Sequence, residues 1–171
     1  MWLKLDLNGI TFHLKINNYI KTNYSNWDDV WCTVDLCLES EPWLKYHIQS
    51  DVLLASEVDD LVNILEGILI GSYTEYTEFS FIEPDFCLCF HPNPDSNSLK
   101  DLNEYESHLN DISLEWRIFL WDGGLTNNYI SVTFQRTYIK YLLTYLKVIT
   151  GELSEENNNE IKELVQKNIL Y

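Results

Sequence analysis

In the segment FCLCFH, residues 86–91, the chain presents Cys87, Cys89 and His91 at every second position. These side chains can ligate zinc, and a cysteine beside a histidine base can act as a nucleophile. Strict alternation is also the pattern of a β-strand, in which residues two apart are separated by about 6.6 Å and residues four apart by about 13 Å. Two cysteines so placed can share one ion through bonds of about 2.3 Å, but His91 cannot join them without a bend. No Cys-x-x-Cys spacing supplies the remaining ligands, and Cys32 and Cys37 fall on opposite faces of their own strand. Small apolar residues on a sheet face explain the spacing with fewer assumptions, because cysteine is often fully buried. No metal ligand and no cofactor is assigned.

Other chemistry is no better supported. No family-type local signature surrounds any cysteine, although His13, His47, His91 and His108 make chance pairings possible. Glu83 and Asp85 are close enough in a turn for acid and base work, yet a chain with 27 acidic residues generates such pairs by composition. GxGxxG, P-loop and GxSxG motifs are absent, so nothing points to nucleotide binding or to a serine nucleophile. No catalytic residue is assigned. A metal- or cysteine-dependent hydrolase and a structural adaptor module stand as alternative readings.

The elements that would position these residues begin with a hairpin. Leu3, Leu5 and Leu7 alternate along one strand, Ile10, Phe12, Leu14 and Ile16 along the next, and Asn8-Gly9 between them is a strong hairpin signal. Trp31–Leu38 and Trp43–Gln49 read as two further strands separated by Glu41-Pro42. Ser56 with Asp59 three residues on predicts a capping box for an amphipathic helix over 57–70, whose apolar side carries Val58, Leu61, Val62, Leu65, Ile68 and Leu69. Strands over 74–82 and 85–91 meet at Glu83-Pro84, and strands over 112–121 and 129–134 flank the turn Asp122-Gly123-Gly124. Helices over 136–149 and 154–170 follow. The connection 92–111 is long for a compact domain and is expected to be a functional loop, a disordered excursion or a short helix.

About eight strands in antiparallel runs with about three helices predict an α+β fold, its sheet either strongly curved or split into two. A length of 171 residues fits one domain, with 154–170 a C-terminal helix that reads as an appended element. A hydrophobic fraction of 46% provides for a core. There is no positively charged start followed by an apolar run, and Leu61–Ile70 is broken by Asn63, Glu66 and Gly67, so neither a signal peptide nor a membrane helix is expected. Four cysteines without a dense framework agree with thiols in a cytoplasmic protein.

Charge gives the clearest functional constraint. Eleven basic against 27 acidic residues leave 11 − 27 = −16. Nucleic-acid phosphates and anionic membranes would repel such a chain, whereas a basic protein partner would be drawn to it.

The order of features matches a known pattern. A hairpin leads to a Trp-bearing strand, to SEVDDLVNILEGIL, to FSFIEPDFCLCF, and then to LEWRIFLW, YISVTFQ and TYIKYLLTYLKVI. Over roughly residues 10–150 this order, and above all Phe81, Glu83 and Pro84 followed by Phe86, Leu88 and Phe90, resembles the WapI family of bacterial immunity proteins. The resemblance implies a cytoplasmic antidote without enzyme activity that binds a cognate toxin, often a nuclease whose basic site an acidic protein can occlude. The expected contact residues are acids in loops and on the first helix's outer face, Asp28, Asp29, Asp59, Asp60, Asp101, Glu104 and Glu106, with Trp27 as an aromatic anchor.

Overall fold

A computed structural model describes residues 1–21, 30–92, 112–154 and 158–171. Among the described residues eight strands, all antiparallel, form two four-stranded sheets, which with three helices make the α+β fold that the sequence predicts. The sheet is split rather than continuous. The chain divides into two compact units, Met1–Asn63 with Tyr141–Tyr171, and Ile64–Lys140.

In the first unit β1 (Leu3–Asp6), β2 (Thr11–Asn17), β3 (Trp31–Ser40) and β4 (Leu44–Leu54) pair in sequence order. Alternation buries Leu3, Leu5, Phe12, Leu14, Ile16, Val34, Leu36 and Leu38 on one face. Each such apolar side chain contributes roughly 1.5–3 kcal/mol relative to exposure. The β1–β2 turn is the expected one. Asn8 and Gly9 both take positive φ, 57° and 101°, and Leu7 N–H donates to Ile10 O at 2.8 Å. Two positive φ values match the right-handed twist of the flanking strands, which is why Asn-Gly occupies the turn.

β1 ends its pairing at Leu3↔Leu14, so Ile16 lies past it on β2. The Ile16 N–H instead donates to the Tyr145 hydroxyl, at 2.8 Å in a buried setting. Tyr145 stands on α2 (Arg136–Ile149). The other side of β1 is covered by the C-terminus, where Trp2 and Lys4 N–H groups donate to Tyr171 and Ile169 carbonyls and Leu3 bridges Leu170.

Helix boundaries differ from the sequence expectation in two places. The first helix, α1, spans Ala55–Leu69 rather than 57–70. At its start the Glu57 Oε2 accepts from Leu54 N–H at 2.8 Å, and Asp59, the expected partner of Ser56, accepts from the Tyr19 hydroxyl. The chain enters the helix directly from β4, with Ala55 N–H held by Val30 O, so the helix begins two residues earlier. The last helix, α3, is Asn159–Gln166 rather than 154–170. Asn158 caps it by accepting from Glu160 and Ile161 N–H groups, and the left-handed Asn168, φ 57°, turns the chain away after it. The last residues thereby become strand-like partners of β1.

The second unit contains β5 (Thr77–Ser80), β6 (Phe86–Pro92), β7 (Ile112–Trp121) and β8 (Leu125–Gln135). Trp116 lies in its core, edge-on to Phe86 at 5.5 Å and to Phe134 at 6.1 Å. β5 is shorter than the expected 74–82 because its ladder is confined to Thr77↔Phe90 through Ser80↔Cys87. At the end of α1, the Arg136 guanidinium donates to Leu69 O at 3.1 Å, satisfying a terminal carbonyl.

Two substitutions test this packing. A Cβ at Gly67 would lie 2.8 Å from the Tyr73 ring, which itself packs edge-on against Phe79. In an exposed helix interior Gly→Ala would stabilise by about 1 kcal/mol. Here Gly67→Ala is expected to destabilise by about 1–2 kcal/mol in chemical denaturation, because the ring must move. Tyr145→Phe removes the acceptor for the buried Ile16 N–H and should cost about 1–3 kcal/mol with an unchanged m-value.

Candidate partner-binding surfaces

The outward rows of the first sheet form one surface. Pairing aligns Lys4↔His13, His13↔Cys37 and Cys37↔His47 across all four strands. Trp2, His13, Asp35, Cys37, Glu39, Lys45, His47 and Tyr171 line a shallow concavity of about 420 Å³. Tyr171 lies over one end, stacked on Trp2 with rings 6.4 Å apart, and its hydroxyl meets His13 Nδ1 at 3.0 Å. The Asp35 carboxylate holds His47 Nε2 at 2.8 Å. Burial, and then the nearby Lys4 charge, lowers the His13 pKa. Burial together with Glu39 raises that of Cys37, which keeps its thiol protonated. The surface is therefore a mixed polar and aromatic face rather than an activated nucleophile.

At the β3–β4 tip, Trp43 is 71% exposed, beside a second hollow of about 340 Å³ lined by Glu39, Glu41, Pro42, Leu44 and Lys45. Trp121, next to the β7–β8 turn, is 51% exposed, and its indole N–H donates to Asp85. Sequence reasoning singled out Trp27 because it adjoins acids. Trp43 and Trp121 are not among the contact residues expected from the sequence, since periodicity does not reveal how far a hairpin tip projects.

Of the expected contact residues, Asp59 and Asp60 lie on α1. Asp59 is half-buried and its Oδ1 accepts from the Tyr19 hydroxyl at 2.8 Å, whereas Asp60 is exposed. Burial, reinforced by this carboxylate, raises the Tyr19 pKa. Trp27, Asp28, Asp29, Asp101, Glu104 and Glu106 lie outside the described residues, as does most of the 92–111 connection.

The FCLCFH strand is β6, and both of its faces are covered from Phe86 to Phe90. Its outer row carries Cys87 and Cys89, opposite Arg117 and Glu115 of β7, and Cys89 is opposite Glu78 of β5. The Arg117 guanidinium donates to Glu115 Oε2 at 2.8 Å and also lies over the Tyr129 ring. His91 Nε2 approaches the same carboxylate at 3.4 Å, so the histidine turns from the cysteines towards Glu115. The Cys87 thiol is pushed up to about 12, first by burial and then by Cys89 and Glu78 beside it. All four cysteines are thiols. The named partners of His13, His47 and His91 are Tyr171, Asp35 and Glu115, none of which is a cysteine.

The chain thus presents two antiparallel sheets with helices, the first sheet carrying an aromatic and charged row on its outward face. The family model described as the immunity protein WapI-like family matches residues 3–153, and the chain belongs to that family. Its general role is accordingly that of an immunity protein, which binds a cognate toxin. The match ends before α3 and the β1-pairing tail. No curated protein matches the chain. Among the described residues, no helix is long and apolar enough to cross a membrane.

The Glu115 pair yields a pH prediction. Its hydrogen bond from Arg117, aided by His91, lowers the carboxyl pKa below its ordinary 4.5. A carboxylate with a depressed folded-state pKa contributes stability above 4.5, and the contribution is lost as pH falls through the lower folded value. Glu115→Gln should therefore lower stability by on the order of 1 kcal/mol at pH 7. The gap between variant and wild type should close below pH 4.5 in urea titrations.

Proposed function

We propose that this immunity protein neutralises a basic, nuclease-type toxin in the cytoplasm by covering its active site without catalysis. The observation that carries the reading is the net charge of −16 on a member of an immunity family. A nuclease site must be basic to hold phosphates, so an acidic protein competes for the same field and is steered to it. The same charge disfavours contact with nucleic acid or an anionic membrane. The acids assigned to contact are Asp28, Asp29, Asp59, Asp60, Asp101, Glu104 and Glu106, with Trp27 as anchor. Asp59 holds Tyr19, so its role is to shape the surface as well as to charge it. Trp43 joins them because an exposed indole at a hairpin tip can enter a pocket on the partner, the kind of contact that dominates binding energy.

The test uses the cognate toxin, whose gene is expected immediately upstream of this one. Reversing Asp28, Asp29, Asp59, Asp60, Asp101, Glu104 and Glu106 together to lysine should slow association at least tenfold at low salt and abolish protection of cells expressing the toxin. The wild-type association rate should fall steeply with added salt. Trp43→Ala should raise the dissociation rate by about thirtyfold, corresponding to about 2 kcal/mol. Unchanged protection by the charge-reversed protein would end the electrostatic reading.

A further inference from the structure

The pairing of β5 with β6 completes a ligand set that the spacing of Cys87, Cys89 and His91 leaves incomplete. The two sulfurs stand 3.8 Å apart. Two sulfurs bound to one tetrahedral zinc through bonds of about 2.3 Å stand about 3.8 Å apart, so the thiols already span one edge of that tetrahedron. A disulfide would instead require closure to about 2.05 Å. The third corner comes from the neighbouring strand. Glu78 faces Cys89 in the ladder, and its carboxylate oxygen and both sulfurs all lie within 4.8 Å of one another.

The surroundings suit an ion. Both thiols are buried while Glu78 is exposed, so the cluster presents protein ligands on the inside and water on the outside. The Tyr76 hydroxyl donates to Glu78 Oε2 at 3.0 Å, which helps to hold the carboxylate beside the sulfurs. Such a second layer of hydrogen bonds typically orients metal ligands. Arg117, in register with Cys87, donates to Glu115 on its own strand.

We propose that Cys87, Cys89 and Glu78 bind one zinc ion, with a fourth, solvent-facing position taken by water. Binding releases the two thiol protons, and the divalent ion then balances two of the three negative ligands. Two sulfurs and one carboxylate select zinc over magnesium or calcium, which favour oxygen-only sites. The consequence is mechanical. β5 is an edge strand of only four residues, and the ion would fasten its Glu78 to β6.

The test is metal analysis of the full chain, purified under reducing conditions, stripped with chelator and reloaded with zinc, with magnesium as control. One equivalent of zinc is expected to remain after desalting, and cobalt in its place should give a thiolate charge-transfer band. The Cys87→Ser/Cys89→Ser double variant should lose the ion and the band. Glu78→Gln, which leaves both sulfurs in place, should weaken zinc at least tenfold, and hydrogen exchange in residues 77–80 should slow on zinc addition only in the wild type. Zinc retained by the double variant, no stoichiometric binding by wild type, or full affinity in Glu78→Gln would each overturn the proposal. If the double variant does not fold, Glu78→Gln alone decides.

Discussion

The pleat of the antiparallel strand is the constraint on which the rest of this structure depends. Because successive side chains leave a strand on opposite faces, an inward row of leucines and aromatics obliges an outward row of whatever lies between them. In the first sheet that places Lys4, His13, Cys37 and His47 in one line across four strands. In the second it places Glu78, Cys89 and Glu115 in one line, with Cys87 and Arg117 beside them. Core and surface are thus specified together, and a one-residue slip in register would exchange them.

Sheet edges impose the second demand, since unpaired strand groups invite unwanted pairing. The first sheet meets it at β1, where the tail after α3 pairs with Trp2, Leu3 and Lys4. Past the end of β1, the Tyr145 hydroxyl takes over as acceptor for Ile16. The second sheet keeps its β5 edge to four residues. These devices are local and independent.

An immunity protein acts by recognising its toxin. Among the described residues, His13 meets a phenol and His47 and His91 meet carboxylates, and burial raises the pKa of Cys37 and Cys87. In the proposed reading, charge supplies long-range attraction, while exposed indoles at hairpin tips supply short-range contact area. The two act at different distances, so neither substitutes for the other.

Much of this protein was legible in the residues alone. Alternation revealed the eight strands, Asn8-Gly9 revealed the first turn, and the series Val58, Leu61, Val62, Leu65, Ile68 revealed the first helix, because each signal is local and repeats at the period of its element. The order of those elements also carried the family. What tertiary structure decided was every relation between distant residues. Asp59 turned to Tyr19 and Glu57 to Leu54, the expected 154–170 helix shortened so that its end could pair with β1, and Trp43 projected from a tip. Glu78 came to the side of Cys87 and Cys89 from another strand. Periodicity assigns a residue to a face, but only strand register, which depends on which segments pair and how the turns between them close, determines what stands next to it.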